Sequence, residues 1–144
     1  MRNNGPVTQR EVSMIDGSVI VSKTDAKGKI QFVNDTFVEI SGFTKEELIG
    51  QPHNLIRHPD MPKAVFWLLW ETIKRGEPIG AYVKNMARNG RYYWVFAVVT
   101  PVDGGYLSVR LKPGSGLLPV VEQEYKTLLT REREEGLSPA ESGA

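Results

Sequence analysis

The 144-residue chain has no cysteine, which removes disulfides, thiolate metal sites and cysteine nucleophiles. Histidine is scarce as well. The two present, His53 and His58, fall short of the four protein ligands that a structural zinc site requires. Neither sign of charge dominates: 18 Lys and Arg against 17 Asp and Glu give a formal net charge of +1, too balanced for the broad basic surface of a general nucleic-acid binder. No apolar run approaches the roughly 18 residues of a membrane span, and the polar start MRNNGPVTQREVSMIDGS holds no stretch of signal-peptide length. These absences predict a soluble, cytoplasmic protein in a reducing compartment. No catalytic constellation stands out either. Ser13, Ser18 and Ser41 sit in no nucleophile-elbow context and the carboxylates are scattered over polar faces, so the expectation is a non-enzyme.

With 40% hydrophobic and 24% charged residues, the chain reads as one globular domain whose core can enclose a ligand. Residues 18–24 (SVIVSKT) and 30–33 (IQFV) are β-branched and alternating around an Asp25-Ala26-Lys27-Gly28 turn, which predicts a first hairpin. Asn34 is placed to cap a short helix carrying Phe37 and Ile40 and stopped by Gly42. Thr44 and Glu47 have capping-box spacing for a second. A longer helix is predicted over residues 61–75, with Asp60 as N-cap, Pro62 in its first turn and Gly76 beyond its end. It is apolar around most of its circumference, so it must be covered on more than one side. Residues 79–88, 91–102 and 106–112 read as three antiparallel strands joined at Asn89-Gly90 and Asp103-Gly104-Gly105. An amphipathic helix opening at Pro119 follows, with Val121, Tyr125, Leu128 and Leu129 on one stripe, and then a polar, frayed tail REREEGLSPAESGA. The organisation expected is an N-terminal cap segment (1–17), a core (18–113) and a linker helix with tail (114–144).

Residues 52–62, PHNLIRHPDMP, pack two histidines, an arginine, an aspartate and three prolines between two predicted helices. Arg57 and His58 precede the N-terminus of the apolar helix. A guanidinium beside free helix amides is a ready site for an anion, although Arg57 could equally pair with Asp60 or Glu77 at the surface. In an alternating strand, Ile79, Ala81, Val83 and Asn85 share a face, which sets an amide among apolar neighbours. A buried amide needs partners, either nearby backbone or the edge of a heteroaromatic ligand. Trp67, Trp70 and Trp94 are aromatic candidates for such a ligand or for ordinary core packing.

The element order, with N-D-T-F and S-G-F-T-K-E-E-L-I-G in the short helices and N-G and Y-Y-W-V in the strands, resembles a PAS domain over residues 10–113. The chain is similar in particular to the N-terminal PAS domain of bacterial aerotaxis receptors: N-D-T-F-V, Q-P-H-N, R-H-P-D-M-P, G-E-P and V-K-N occur in register at 34–38, 51–54, 57–62, 76–78 and 83–85. The resemblance implies an α+β PAS fold, a five-stranded antiparallel sheet with short helices and one longer helix on one face plus the C-terminal helix. It also implies non-covalently bound FAD, redox or energy sensing for a chemotaxis-type output, the rest of a longer receptor and a second PAS copy as partners, and membrane association only through other parts of that receptor. Asn34, His53, Arg57, His58, Asp60, Trp70 and Asn85 are the cofactor-binding candidates. Two other readings stay open, a haem held by His53 or His58 and an empty dimerisation module. Lacking cysteine, the chain cannot form the flavin adduct of light-sensing relatives. The family has tryptophan after G-E-P where this chain has Ile79.

Overall fold

The computed structural model describes residues 10–12, 14, 17–114 and 116–135. Residues 1–9 of the expected N-terminal segment and 136–144 of the expected tail lie outside that range. The elements are β1 (Val19–Asp25), β2 (Ile30–Val33), α1 (Asp35–Ser41), α2 (Lys45–Leu48), a 3-10 turn (His53–Ile56), α3 (Lys63–Lys74), β3 (Ile79–Met86), β4 (Tyr92–Val102), β5 (Gly105–Leu111) and α4 (Leu118–Glu135). The strands form one antiparallel sheet in the order β2-β1-β5-β4-β3, as expected for the α+β class.

Local chemistry explains the elements. Asn34 caps α1 by accepting from the Phe37 N–H at 3.1 Å. Gly42, at φ 78°, ends the helix in the left-handed conformation that side-chain-bearing residues resist. The Thr44 and Glu47 capping box closes α2, and Arg88 pairs with Glu47 across from β3. Alternation along the strands sends Val83, Asn85, Tyr93, Val95, Ala97 and Arg110 inward, all buried. There they meet Phe37, Leu48, Leu55, Ile56 and Met61 from the helical side.

The structure differs from expectation at both helix ends near residue 60 and residue 132. α3 begins at Lys63 behind Pro62, which makes no side-chain cap bond, so Asp60 is not the N-cap. The Asp60 carboxylate is drawn instead to the Lys84 ammonium at 3.3 Å, and its N–H donates to His58 Nδ1 at 3.0 Å. The cap comes from far along the chain: Glu132 accepts from the N–H groups of Lys63 and Ala64 at 2.8 and 2.9 Å. The REREE segment is accordingly helical through Glu135 rather than frayed. α4 also leaves the helical face. Tyr125 stacks against Trp94, 5.8 Å between centroids, on the side of β4 opposite Tyr93 and Val95, so α4 reaches around edge strand β3 to the start of α3.

Candidate functional site

Between the inner sheet face and α3 lies a cavity of about 610 Å³. Its apolar walls are Ile56, Phe66, Leu69, Trp70 and Ile73 on one side and Val83, Ala97 and Val99 on the other. The α3 residues on the lining, Lys63, Phe66, Trp67, Leu69, Trp70 and Ile73, recur at helical spacing along one side, whereas Trp67 and Leu68 are exposed, so the helix is not covered on every side that its apolar circumference led one to expect. Polar groups gather at two places, Asn85, His53, Ser108 and Arg110 toward the floor and Lys27, Arg57 and Lys63 elsewhere on the lining.

The floor is electrostatically unusual. Arg110 is 2% exposed and has no carboxylate partner among the described residues. Its Nη2 donates to Ser22 Oγ at 2.8 Å and the guanidinium lies 4.5 Å over the Phe37 ring. Nε and Nη1 are buried without hydrogen-bond partners among the described residues. Burial lowers the guanidinium to about 10, against the pull of nearby Tyr93. Ser22 also bonds His53 Nε2 at 3.0 Å. Burial first, and the Arg110 charge second, depress His53 to about 3, so the imidazole is neutral at physiological pH. With Ser22 accepting from Arg110, its hydroxyl proton is free to go to His53 Nε2, which places the ring proton on Nδ1.

Asn85 is 3% exposed on the inner face of β3, as its alternation predicts. Its Nδ2 is another buried donor without a hydrogen-bond partner among the described residues, and so is the Tyr93 hydroxyl. Burial dominates and pushes the Tyr93 phenol up to about 12, against the Arg110 charge and, to a lesser degree, the neighbouring Asn85 amide, both of which favour ionisation. Orphaned buried donors of this kind carry a desolvation cost that a ligand can relieve. Arg57 is held by a backbone bridge to Asn85 with its guanidinium 4.4 Å over the Phe66 ring. It pairs with neither surface partner expected for it, since Asp60 goes to Lys84 and Glu77 to Arg75.

The structure thus brings His53, Arg57, Trp70 and Asn85 together on the cavity lining and leaves Asn34, His58 and Asp60 off it. Asn34 is occupied by Val19, Val21 and Phe37 backbone. His58 is wholly buried in the segment that pairs with β3, its N–H donating to the Lys84 carbonyl at 3.3 Å. Ile79, at the position of the family tryptophan, is not on the wall. Arg110 and Ser22 were missed from sequence, although alternation in SVRL does place Arg110 on the face of Ser108.

A five-stranded antiparallel sheet in this order, with short helices and one longer helix enclosing a cavity on one face, defines a PAS fold. The chain belongs to the PAS family: the family model described as PAS fold matches residues 30–109. It is 44% identical over 133 residues to the aerotaxis receptor of Escherichia coli (strain K12), a match covering 89% of this chain and 26% of the receptor. Among solved structures it is similar to the PAS domain of a protein from Colwellia psychrerythraea, with TM-score 0.55 and 21% identity over 66% of this chain and 86% of that one. It is also similar to an RNA-binding light-oxygen-voltage receptor, with TM-score 0.61 and 18% identity over 85% of this chain and 35% of that one. The chain spans about a quarter of the length of the curated relatives it matches. No helix among the described residues is long and apolar enough to cross a membrane.

Proposed function

We propose that this chain is the sensor domain of a cytoplasmic or membrane-associated receptor, that it binds FAD non-covalently in the cavity, and that it reports redox status to a chemotaxis-type output rather than catalysing a reaction. The observation that carries this reading is the set of unpartnered buried donors on the floor, Arg110 Nε and Nη1 and Asn85 Nδ2, beside walls that are otherwise apolar. A flat heteroaromatic ring with carbonyl and nitrogen acceptors along one edge satisfies these donors while its faces rest on Val83, Ala97, Val99, Leu69 and Trp70. Lys27, Arg57 and Lys63 on the lining provide for phosphates. The similarity to an aerotaxis receptor supports the output assignment.

When bound, the flavin supplies reversible one- or two-electron redox change. The protein's part is to hold and to discriminate. A cation without a carboxylate partner at Arg110 favours a ligand edge that gains electron density. Neutral His53, joined to it through Ser22, adds no second positive charge to the floor. Different interaction with the two redox states is what allows the ligand to shift the conformational equilibrium of the sheet.

The test is the absorption spectrum of the purified protein with chromatography of any released chromophore. FAD at about one per chain is expected, with Asn85→Ala and Arg57→Ala lowering occupancy. A colourless protein that takes up no added FAD refutes the proposal. A Soret band would instead favour haem, with His53, the histidine on the cavity lining, as its ligand after Nε2 gives up its bond to Ser22.

A further inference from the structure

α4 is fastened at two points. Near its middle the Tyr125 hydroxyl donates to the Tyr82 carbonyl at 2.7 Å. About two turns later the Glu132 carboxylate, 8% exposed, closes the N-terminus of α3 with bonds of 2.8 and 2.9 Å to Lys63 and Ala64. An anion there is favoured by the helix dipole as well as by the two N–H donors. Lys63, whose N–H Glu132 holds, lines the same cavity as Arg57, and burial lowers the Arg57 guanidinium while the Glu132 charge opposes that shift. Arg57 in turn lines the cavity and lies over Phe66. One half-buried guanidinium therefore stands between the cavity and the C-terminal helix.

Resting on the reading of the cavity as a site for a phosphate-bearing ligand, we propose that Glu132 is a ligand-sensitive latch: an anionic group drawn to Arg57 competes with the Glu132 carboxylate and loosens the last turns of α4. The physical basis is that Arg57 attracts both anions, whereas the anions repel each other, and the burial of Glu132 limits the screening of its charge. A neutral cavity ligand makes no such demand on Arg57. Tyr125, bonded to backbone and stacked on Trp94, is the anchor that stays, so the change is confined to the end of the helix that would lead on to any following segment.

Hydrogen exchange of the amides in α4, on the full 144-residue chain, tests this with FAD, with riboflavin and without ligand. Saturating FAD is expected to speed exchange of residues 129–135 by roughly tenfold, while riboflavin, lacking phosphate, leaves it unchanged. Glu132→Gln should show the faster exchange without ligand and no further response to FAD. Bound FAD that leaves α4 protection unchanged or raises it overturns the latch, as does a Glu132→Gln variant that responds like the wild type. If neither flavin binds, the function proposed above fails by itself. The latch is then decided without ligand: Glu132→Gln and Arg57→Gln must each speed exchange at residues 129–135, and unchanged exchange in either overturns it.

Discussion

Arg110→Met should stabilise the ligand-free protein while abolishing flavin binding. The guanidinium is held at about 10 against an ordinary 12.5. At 1.36 kcal/mol per unit, keeping it charged in the fold costs about 3 kcal/mol. That figure reflects burial and the neighbouring Tyr93; losing the bond to Ser22 and the contact with the Phe37 face takes back about 1 kcal/mol. Methionine replaces the aliphatic stem but leaves a gap near the former guanidinium, which costs about 1 kcal/mol. The net expectation is a gain of about 1 kcal/mol, in line with the replacement of other buried charges by apolar groups. Because the folded protein releases this proton before the unfolded chain does, the wild-type deficit is present throughout neutral pH and is relieved only as pH rises through about 10. Urea unfolding of ligand-free wild type and variant at pH 7 reads the difference directly, and equilibrium dialysis with FAD reads the loss of binding. A variant destabilised by more than about 1 kcal/mol, or one that retains wild-type FAD affinity, refutes the reasoning.

Asn85→Leu removes an unpartnered buried donor with a side chain of the same branching whose larger methyl groups extend into the adjoining cavity, so flavin titration should show affinity down by about tenfold or more while the ligand-free urea midpoint holds or rises. His53 stays neutral in the fold down to about 3, whereas the unfolded imidazole takes up a proton near 6.5. Stability therefore falls as pH drops below 6.5, and between pH 7 and pH 5 the wild type should lose about 1–2 kcal/mol more than His53→Gln in parallel urea curves. At Gly105 a Cβ would sit 1.8 Å from the Thr24 carbonyl oxygen, forcing β1 and β5 apart, and Gly105→Ala should cost about 2–4 kcal/mol in the same assay; a loss below about 0.5 kcal/mol would contradict the register drawn for those strands.

The parts of this fold legible in the sequence are those governed by residues within a few positions of one another. The Asp25 to Gly28 turn, the Asn34 cap, the Thr44 and Glu47 capping box and the inward face of Asn85 all follow from local spacing, and all are found. The start of α3 was misplaced because its cap is not local. Glu132 lies 69 residues beyond Lys63, and Asp60, the residue with cap chemistry at the right spacing, is claimed by Lys84 from β3. The same limit hid the floor of the cavity. Ser22 and Arg110 are 88 positions apart, on strands whose pairing no short window reveals, and an arginine near a strand end ordinarily reads as solvent-facing. His53 could be singled out by its neighbourhood of prolines and charges, but its neutrality depends on burial and on Arg110.

Edge strand β3 is where these long-range relationships converge. Its inner face carries Val83 and Asn85 on the cavity wall. Beside it Arg57 and His58 make bridge and backbone bonds to Asn85 and Lys84, which cover an edge that would otherwise invite pairing with another chain. Its Tyr82 carbonyl anchors α4, and its Lys84 side chain holds Asp60 ahead of α3. A ligand satisfying Asn85 therefore acts on a strand already bonded to the loop that carries Arg57 and to the helix that carries Glu132. Stiffening or shifting β3 by even a small displacement changes the geometry of both attachments, because packed strands and helices rearrange between discrete arrangements rather than deform continuously. Strands β1, β5 and β4 are each paired on both sides, so under the proposed function any such displacement is expected at β3 and not in the centre of the sheet.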